Sequence, residues 1–129
     1  RVGAYIIFDR DGKIGVVRTP KGYFLLGGGI ENGESHKECI IRECAEEAGL
    51  SVEVGALLCT AESYGLHSEI GYFHPYQYYY SGSALEVINE GSESDHVFEW
   101  VDYKLLRGNM FSKMQNWALE NYLEHAGLR

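Results

Sequence analysis

The sequence predicts a single α/β domain, because segments with strand composition lie on both sides of one clearly delimited helix and a second helix ends the chain. With 129 residues, 45% of them hydrophobic, the chain has enough apolar material for one core and is short for two. We therefore expect one domain over residues 1–129.

The first 27 residues have the composition and turn signals of strands. Residues 1–8 and 13–19 are rich in Val and Ile, and the Asp/Gly turn at 9–12 predicts that they form a hairpin. A Pro/Gly turn then leads to a short strand over 23–26. This strand runs into Gly27, Gly28 and Gly29, which we interpret as a loop rather than plain strand. Such a triplet serves either as an ordinary turn or as a place where a ligand approaches the backbone.

The next segment carries strong helix signals at both ends. Ser35 and Glu38 form the pattern of a capping box, and the helical period continues to Ala48. Gly49 then stands where a helix C-terminus favours a residue with positive φ. The sequence therefore predicts a helix that begins near Ser35 and ends at Ala48.

The rest of the chain predicts further strands and a final helix. Residues 51–62 and 69–80 have strand composition and are joined by a loop at 63–68. Residues 81–94 read as a loop before a strand over 96–101. An apolar stripe with steps of three and four predicts an amphipathic helix over 111–125, which we interpret as core packing.

Three glutamates share one narrow arc of the first helix. Glu43, Glu46 and Glu47 are spaced i, i+3 and i+4, whereas Ile40, Ile41, Cys44, Ala45 and Ala48 form the apolar stripe. We therefore expect the acidic arc to point away from the core.

This arc is either an ordinary solvated face or a metal site. Like charges at these spacings cost about 0.2–0.5 kcal/mol per pair, and the C-terminal half of a helix disfavours anions further. A divalent cation removes this conflict, because converging carboxylates are typical ligands of Mg²⁺ and Mn²⁺. The spacing alone leaves both interpretations open.

The neighbouring residues favour the metal. The amides of the predicted glycine loop, Gly27 to Gly29, can bind phosphate oxygens or orient a carboxylate. Glu34 precedes the helix, and Arg42 lies next to the acidic arc, where it can fix a glutamate. Together these features predict a phosphate site that depends on a cation.

The segment from Gly28 to Leu50 resembles the Nudix box. It contains Gly28, Glu34 and then Arg42-Glu43-Cys44-Ala45-Glu46-Glu47-Ala48-Gly49-Leu50, with every charged and glycine position of the motif present. The order of elements over the whole chain is also similar to a Nudix domain. The resemblance implies an α/β/α sandwich with a mixed central sheet and a loop–helix–loop catalytic motif.

The resemblance further implies hydrolysis of a nucleoside diphosphate linked to another group. It implies that Glu43, Glu46 and Glu47 bind a divalent metal, Mg²⁺ or its substitute Mn²⁺, with the Gly28 carbonyl as a further ligand. Glu46 or Glu47 is also the candidate base, Arg42 would orient Glu43 by a salt bridge, and Glu34 would bind metal through water or assist.

The sequence departs from the family pattern at two positions. Cys44 occupies an aliphatic position and should pack as a small hydrophobic residue. Leu26 stands where relatives often have proline. Outside the motif, Glu93 is the best candidate for an additional ligand or base, ahead of Asp95, although a solvated loop explains both residues equally well.

Composition limits the partners. A net charge of −8 with scattered Lys and Arg excludes a duplex-binding surface, and no apolar run approaches the length of about 20 residues that a membrane helix needs. The expected partner is a small nucleotide, and a homodimer remains open. Three cysteines without a Cys-x-x-Cys pair favour a reducing cytoplasm.

The substrate itself is not determined. A nucleoside triphosphate, a dinucleoside polyphosphate or a nucleotide sugar all fit. Tyr72, His74, Tyr76, Tyr78 and Tyr80 alternate onto one face that either fills the core, the favoured interpretation, or stacks a base. Two alternative functions are a non-catalytic nucleotide-binding module that keeps the fold and an isomerase that uses Cys39.

Overall fold

The computed structural model describes residues 2–62, 65–67, 71–73, 76–89, 91 and 95–128, with only the backbone described for 65–67 and 71–73. The strands are β1 (Val2–Ile7), β2 (Asp9–Arg10), β3 (Lys13–Thr19), β4 (Gly22–Gly29), β5 (Leu50–Glu62), β6 (Gly65–His67), β7 (Gly71–Phe73), β8 (Tyr76–Val87) and β9 (Val97–Asp102). The helices are α1 (His36–Ala48), α2 (Tyr103–Leu106) and α3 (Lys113–Ala126).

Seven of the described strands form one mixed sheet between two helical layers. Its order is β2-β3-β4-β1-β8-β5, with β9 paired to β3, and β1 and β8 run parallel while the other pairs are antiparallel. Strands β6 and β7 form a separate hairpin. One buried cluster includes Ile40 and Cys44 of α1, and the other includes Leu119 and Leu123 of α3. This arrangement confirms the predicted α/β/α sandwich.

The sequence signals at the ends of α1 are confirmed in detail. Ser35 caps the helix through its side chain, which accepts from the Glu38 amide at 3.0 Å, while Glu38 accepts from the Ser35 amide at 2.9 Å. Gly49 ends the helix in the left-handed region, with φ of 60°. These local bonds fix where the motif helix begins and ends.

The pairing predicted for the N-terminal strands is wrong. Strand β1 pairs with β4 and β8, and the hairpin partner of β3 is the short strand β2. Asp11 and Gly12 form the turn, both with positive φ. Strand β1 ends at Ile7, and the chain continues as the separate strand β2. The hairpin expected between residues 1–8 and 13–19 is therefore formed by β2 and β3 instead.

Two further predictions are corrected by long-range pairing. Gly27 to Gly29 lie within β4 and pair with Tyr5, Ala4 and Gly3 of β1, so they are strand rather than loop. Strand β8 continues to Val87 through its pairing with β5, where a loop was expected from residue 81. Both pairings are set by partners distant in the sequence, which composition does not reveal. Helix α2 and strand β6, which lies within the loop expected at 63–68, were also not predicted.

Candidate active site

Helix α1 lies directly against strand β4, and Gly28 of that strand makes the close approach of a helix carboxylate possible. A Cβ at Gly28 would lie 1.7 Å from Glu43 Oε2, so only glycine leaves room for that carboxylate. The Gly27 amide donates to Glu47 Oε1 at 3.0 Å. The glycine backbone therefore holds one carboxylate and accommodates another.

The acidic arc of α1 was expected to point away from the core, but two of its three glutamates are mostly buried. Glu47 is only 8% exposed and the Glu43 side chain 15%, whereas the Glu46 side chain is 43% exposed. Ile41, by contrast, is exposed, although it was expected in the core stripe. The buried face of α1 therefore extends beyond the apolar stripe to Glu43 and Glu47, where strand β4 packs.

Arg42 links the carboxylates around the start of the motif. It donates from Nε and Nη2 to both oxygens of Glu34, at 2.6 and 3.0 Å. Its Nη1 lies 3.3 Å from Glu46 Oε2 and 3.5 Å from Glu43 Oε1, and its Nη2 donates to the Gly29 carbonyl at 3.2 Å. The expected pairing of Arg42 with Glu43 is present, but the residue that binds the guanidinium with both carboxylate oxygens is Glu34.

This bidentate pair changes the acidity of Glu34. Hydrogen bonds from Arg42, and then the Glu31 amide, lower the pKa of Glu34 to about 2. The same pairing raises the pKa of Arg42. Glu34 therefore remains an anion locked to Arg42, whose remaining donors point to the α1 carboxylates.

The predicted metal ligands fit a divalent cation in their chemistry. Glu43, Glu46 and Glu47 offer hard oxygen ligands from one side of α1, and the space at Gly28 admits a carboxylate close to the backbone. Across the described residues, no three acidic, His or Cys side chains are gathered in a closed ligand cluster. In this conformation Arg42 contacts both Glu43 and Glu46, so these two carboxylates would hold a cation beside the guanidinium.

A cleft of about 470 Å³ opens beside the buried glutamate. This volume lies in the range of about 300–1,000 Å³ that is common for small-molecule sites. Its walls combine aromatic, amide and charged side chains: Tyr5, Thr19, Pro20, Lys21, Phe24, Leu25, Gly27, Glu47, Gln77, Asp95, His96, Ser112 and Gln115. The cleft thus brings a carboxylate of the motif together with residues far outside it.

Asp95 and His96 reach the same site from the start of β9. His96 Nδ1 lies 2.9 Å from Asp95 Oδ1, and His96 Nε2 lies 3.9 Å from Glu47 Oε2. This hydrogen bond lowers the pKa of Asp95. Glu93, the favoured candidate in this segment, lies outside the described residues. The sequence predicts His96 only as the first residue of a strand. Its position directly after acidic residues was the one sequence feature that could have indicated a functional role.

The cysteines of α1 are packed rather than reactive. Cys39 is fully buried, and burial raises its pKa to about 11. Cys44 is also buried, as expected for its aliphatic position. The Cys39 thiol donates to the carbonyls of Gly28 and Gly29. The isomerase hypothesis therefore loses the thiol on which it depended.

The family model for the NUDIX domain matches residues 1–122. The chain belongs to the Nudix family. This confirms the family and enzyme class predicted from the motif, a Nudix-type pyrophosphohydrolase. Nudix hydrolases generally use a divalent metal and act on small nucleotides.

Solved structures of Nudix hydrolases are similar in fold over nearly the whole chain. A MutT NUDIX hydrolase from Burkholderia pseudomallei is 24% identical with a TM-score of 0.77, and the match covers 94% of this chain and 96% of that one. A NUDIX hydrolase from Nitrosomonas europaea is 21% identical with a TM-score of 0.75, covering 99% and 90%. At these identities the likeness shows the fold alone.

A third similar structure is a UDP-X diphosphatase, which is 20% identical with a TM-score of 0.69. The match covers 99% of this chain and 64% of that one. No curated protein matches the sequence. None of the described helices is long and apolar enough to cross a membrane.

The tyrosines of β8 lie apart from the Nudix cleft. Tyr78 and Tyr80 pack on His36 at the start of α1, with ring centroids 4.2 and 5.8 Å away, and both are only partly buried. Tyr79, on the opposite face, is the core residue. The side chains of Tyr72 and His74 lie outside the described part. Among the described aromatic residues, Tyr5 and Phe24 line the cleft instead.

Leu26 occupies the position where many Nudix proteins have proline. It is fully buried and pairs with Ile6 of β1. An ordinary strand residue suits this position, because β4 continues through it to Gly29. The departure from the family pattern thus supports the strand rather than altering the site.

The two glycines predict different consequences of adding a methyl group. Gly28→Ala should leave the free energy of unfolding within about 1 kcal/mol, because only the flexible end of Glu43 must move. Displacing that carboxylate should lower pyrophosphohydrolase activity by roughly 100-fold. Chemical denaturation and a steady-state assay measure the two effects.

Gly27→Ala is the matched comparison. Its φ is 141° and the added Cβ would lie 2.2 Å from the Ala4 carbonyl oxygen, which is backbone, so stability should fall by about 1–3 kcal/mol. Full activity in a folded Gly28→Ala variant would contradict the role of the space at Gly28 that accommodates Glu43.

The lowered pKa of Glu34 predicts how stability depends on pH. Because the folded-state value is about 2 and the ordinary value is 4.5, the pair with Arg42 stabilises the fold fully above pH 4.5 and is lost as pH falls toward 2. Wild type should therefore resist urea better than Glu34→Gln at pH 6, and this difference should shrink below pH 4.5.

Glu31→Gln is the control for that titration. Glu31 Oε1 also lies 3.3 Å from Arg42 Nη1, but its side chain is 67% exposed, so its loss should change stability little. An equal effect of both substitutions, or a Glu34 difference that is constant with pH, would contradict the account.

Proposed function

We propose that this chain is a Mg²⁺-dependent hydrolase that cleaves the pyrophosphate bond of a nucleoside diphosphate linked to another group. The observation that carries the proposal is the position of Glu47, a buried carboxylate held by the Gly27 amide in the wall of a cleft. The substrate classes are a nucleoside triphosphate, a dinucleoside polyphosphate or a nucleotide sugar. Mn²⁺ is the expected substitute cation.

The proposed cation ligands are Glu43, Glu46, Glu47 and the carbonyl of Gly28. When bound, the cation supplies charge neutralisation on the phosphate oxygens and acidifies a water molecule. The family membership, the oxygen donors on one side of α1 and the space left at Gly28 support this assignment.

The carboxylates of α1 accept the proton in the proposed reaction. A water oxygen forms a bond to one phosphorus, the bond from that phosphorus to the bridging oxygen breaks, and the water proton passes to Glu47 or Glu46. The Gly27 amide fixes Glu47 Oε1, so the carboxylate keeps one orientation during the transfer. Electrostatic repulsion of an anionic substrate by these residues explains why a cation must intervene.

Arg42 and Glu34 are proposed to position the carboxylates. Because Glu34 holds two donors of Arg42, the remaining Nη1 is aimed at Glu43 and Glu46. The glycine segment is proposed to act mainly on the protein's own groups: the Gly27 amide binds Glu47, and the Gly29 carbonyl accepts from Arg42. Phosphate contact by Gly27, Gly28 and Gly29 and a contribution from Glu93 remain predictions.

The organisation of the chain is proposed on the same basis. We expect residues 1–129 to act as one Nudix-like domain in the cytoplasm, with the cysteines reduced and a homodimer possible. The small nucleotide remains the expected partner, without duplex nucleic acid or membrane.

Substitution of the two candidate bases tests this mechanism. Glu46→Gln and Glu47→Gln should each lower kcat by roughly 10²–10⁴-fold with the fold intact, because amides neither accept the proton nor bind the cation well. Mass spectrometry of products formed in ¹⁸O-labelled water identifies the attacked phosphorus. Exposed Glu53 on β5 provides the control substitution to Gln.

Two results would overturn the proposal. Near-normal turnover in both variants would remove the assigned chemistry. Saturable nucleotide binding without turnover on a broad panel of nucleotides would favour the non-catalytic binding module.

A further inference from the structure

The cleft contains a buried glutamine whose side chain is oriented by the backbone of β4. Gln115 is 2% exposed, and its Oε1 accepts from the Leu25 amide at 2.8 Å. An amide N–H can only donate, so the oxygen of Gln115 must face Leu25 and its nitrogen must face the other way. The orientation of this side-chain amide is therefore determined by chemistry.

The nitrogen of Gln115 reaches the cleft. Among the described residues, none accepts a hydrogen bond from Nε2 of Gln115. Every fully buried side-chain nitrogen or oxygen of the described residues has a hydrogen-bond partner, so a side-chain atom without a partner is not fully buried. Nε2 is thus accessible, and the surface to which Gln115 contributes is the cleft wall. Two N–H donors are aimed at whatever ligand the cleft holds.

The helix cap does not explain this glutamine. Ser112 and Gln115 have the spacing of a capping box, in which the glutamine side chain would return to the Ser112 amide. The Ser112 side chain does accept from the Gln115 amide at 3.3 Å, but the Gln115 side chain crosses to β4 instead. The side chain therefore serves the cleft and its strand rather than the end of α3.

A second glutamine in the cleft wall also has its side-chain oxygen bound by a donor of the protein. Gln77 of β8 also lines the cleft, and its Oε1 accepts from the buried Tyr79 hydroxyl. Tyr5 and Phe24 supply aromatic surfaces in the same walls. Aromatic rings bind the faces of nucleobases, and polar groups in the same walls are available to contact a base edge.

We propose that Gln115, assisted by Gln77, makes this cleft selective for nucleobases with a carbonyl acceptor at the edge that it contacts, namely 6-oxopurines and 4-oxopyrimidines. Adenine is read by a side-chain amide through one donor and one acceptor. Here the acceptor of Gln115 is bound to Leu25, so only donors remain. An exocyclic amino group would meet these donors without forming a hydrogen bond, which disfavours adenine and cytosine.

This inference rests on the proposed function, because it assumes that the ligand is a nucleotide. Binding is therefore measured separately from hydrolysis, by calorimetry with Mg²⁺ and α,β-methylene triphosphates. The inosine and adenosine analogues form one pair, and the uridine and cytidine analogues form the other. Each pair differs by an exchange of carbonyl for amino group.

The wild type should bind the inosine and uridine analogues at least about tenfold more tightly than their amino counterparts, the effect of one well-placed hydrogen bond. Gln115→Glu keeps an oxygen for the Leu25 amide and replaces the donor with a second oxygen. It should remove most of this preference. Gln77→Glu, at a partly exposed position, reduces the preference and provides a second variant if Gln115→Glu does not fold.

The outcomes separate the two proposals. Equal binding within each pair, or an unchanged preference in both folded variants, overturns the inference even if nucleotides are hydrolysed. The predicted preference in binding, without hydrolysis of triphosphates, dinucleoside polyphosphates or nucleotide sugars of the preferred bases, supports the inference and overturns the proposed reaction. Absence of binding for all four analogues overturns the inference, and it leaves the proposed reaction standing where one of the three substrate classes is hydrolysed.

Discussion

The contact between helix α1 and strand β4 is the constraint on which the site depends. A side chain at Gly28 would lie 1.7 Å from Glu43 Oε2 of the helix, and one at Gly27 would lie 2.2 Å from the Ala4 carbonyl oxygen of the neighbouring strand β1. With glycine at both positions, a backbone amide can donate to a nearly buried Glu47. A helix face that would otherwise be solvated thereby becomes part of a cleft.

Charge balance around Arg42 makes this contact tolerable. Buried or partly buried carboxylates on neighbouring helix positions repel one another, and the C-terminal end of the helix adds to the cost. Arg42 offsets this by binding Glu34 with two donors and contacting Glu43 and Glu46 with a third. Its partners are anions of the kind that a divalent cation binds, so the arginine and a bound cation would share the carboxylates of one surface.

Local signals predicted α1 well because its caps are made by residues within five positions of one another. The arc of Glu43, Glu46 and Glu47 was also correct in angle. Its burial was not predicted, because the wheel assumes that the surface opposite an apolar stripe is solvent. The strand character of Gly27 to Gly29 depends on pairing with β1, and no property of three glycines reveals such a partner.

The cleft was the least predictable part of the site. Gln77, Gln115 and His96 come from a strand, a helix and a segment between elements, and only the fold brings them beside Glu47. Gln115 is a clear case, because its spacing from Ser112 indicates a cap, whereas its oxygen binds a strand 90 positions away in the sequence. Motif residues lie on one helix and can be found by their spacing. Residues that select a substrate can lie on separate elements, where spacing in the sequence does not reveal them.

The central claim is that the carboxylates packed against β4 form a divalent cation site. The most direct measurement is a Mn²⁺ titration followed by electron paramagnetic resonance, with wild type, Glu43→Gln and the exposed control Glu53→Gln. The account predicts saturable binding that is weakened at least about tenfold by Glu43→Gln, a loss of one charged ligand, and unchanged by Glu53→Gln. Absence of saturable binding in the wild type, or equal affinity in all three proteins, would contradict it.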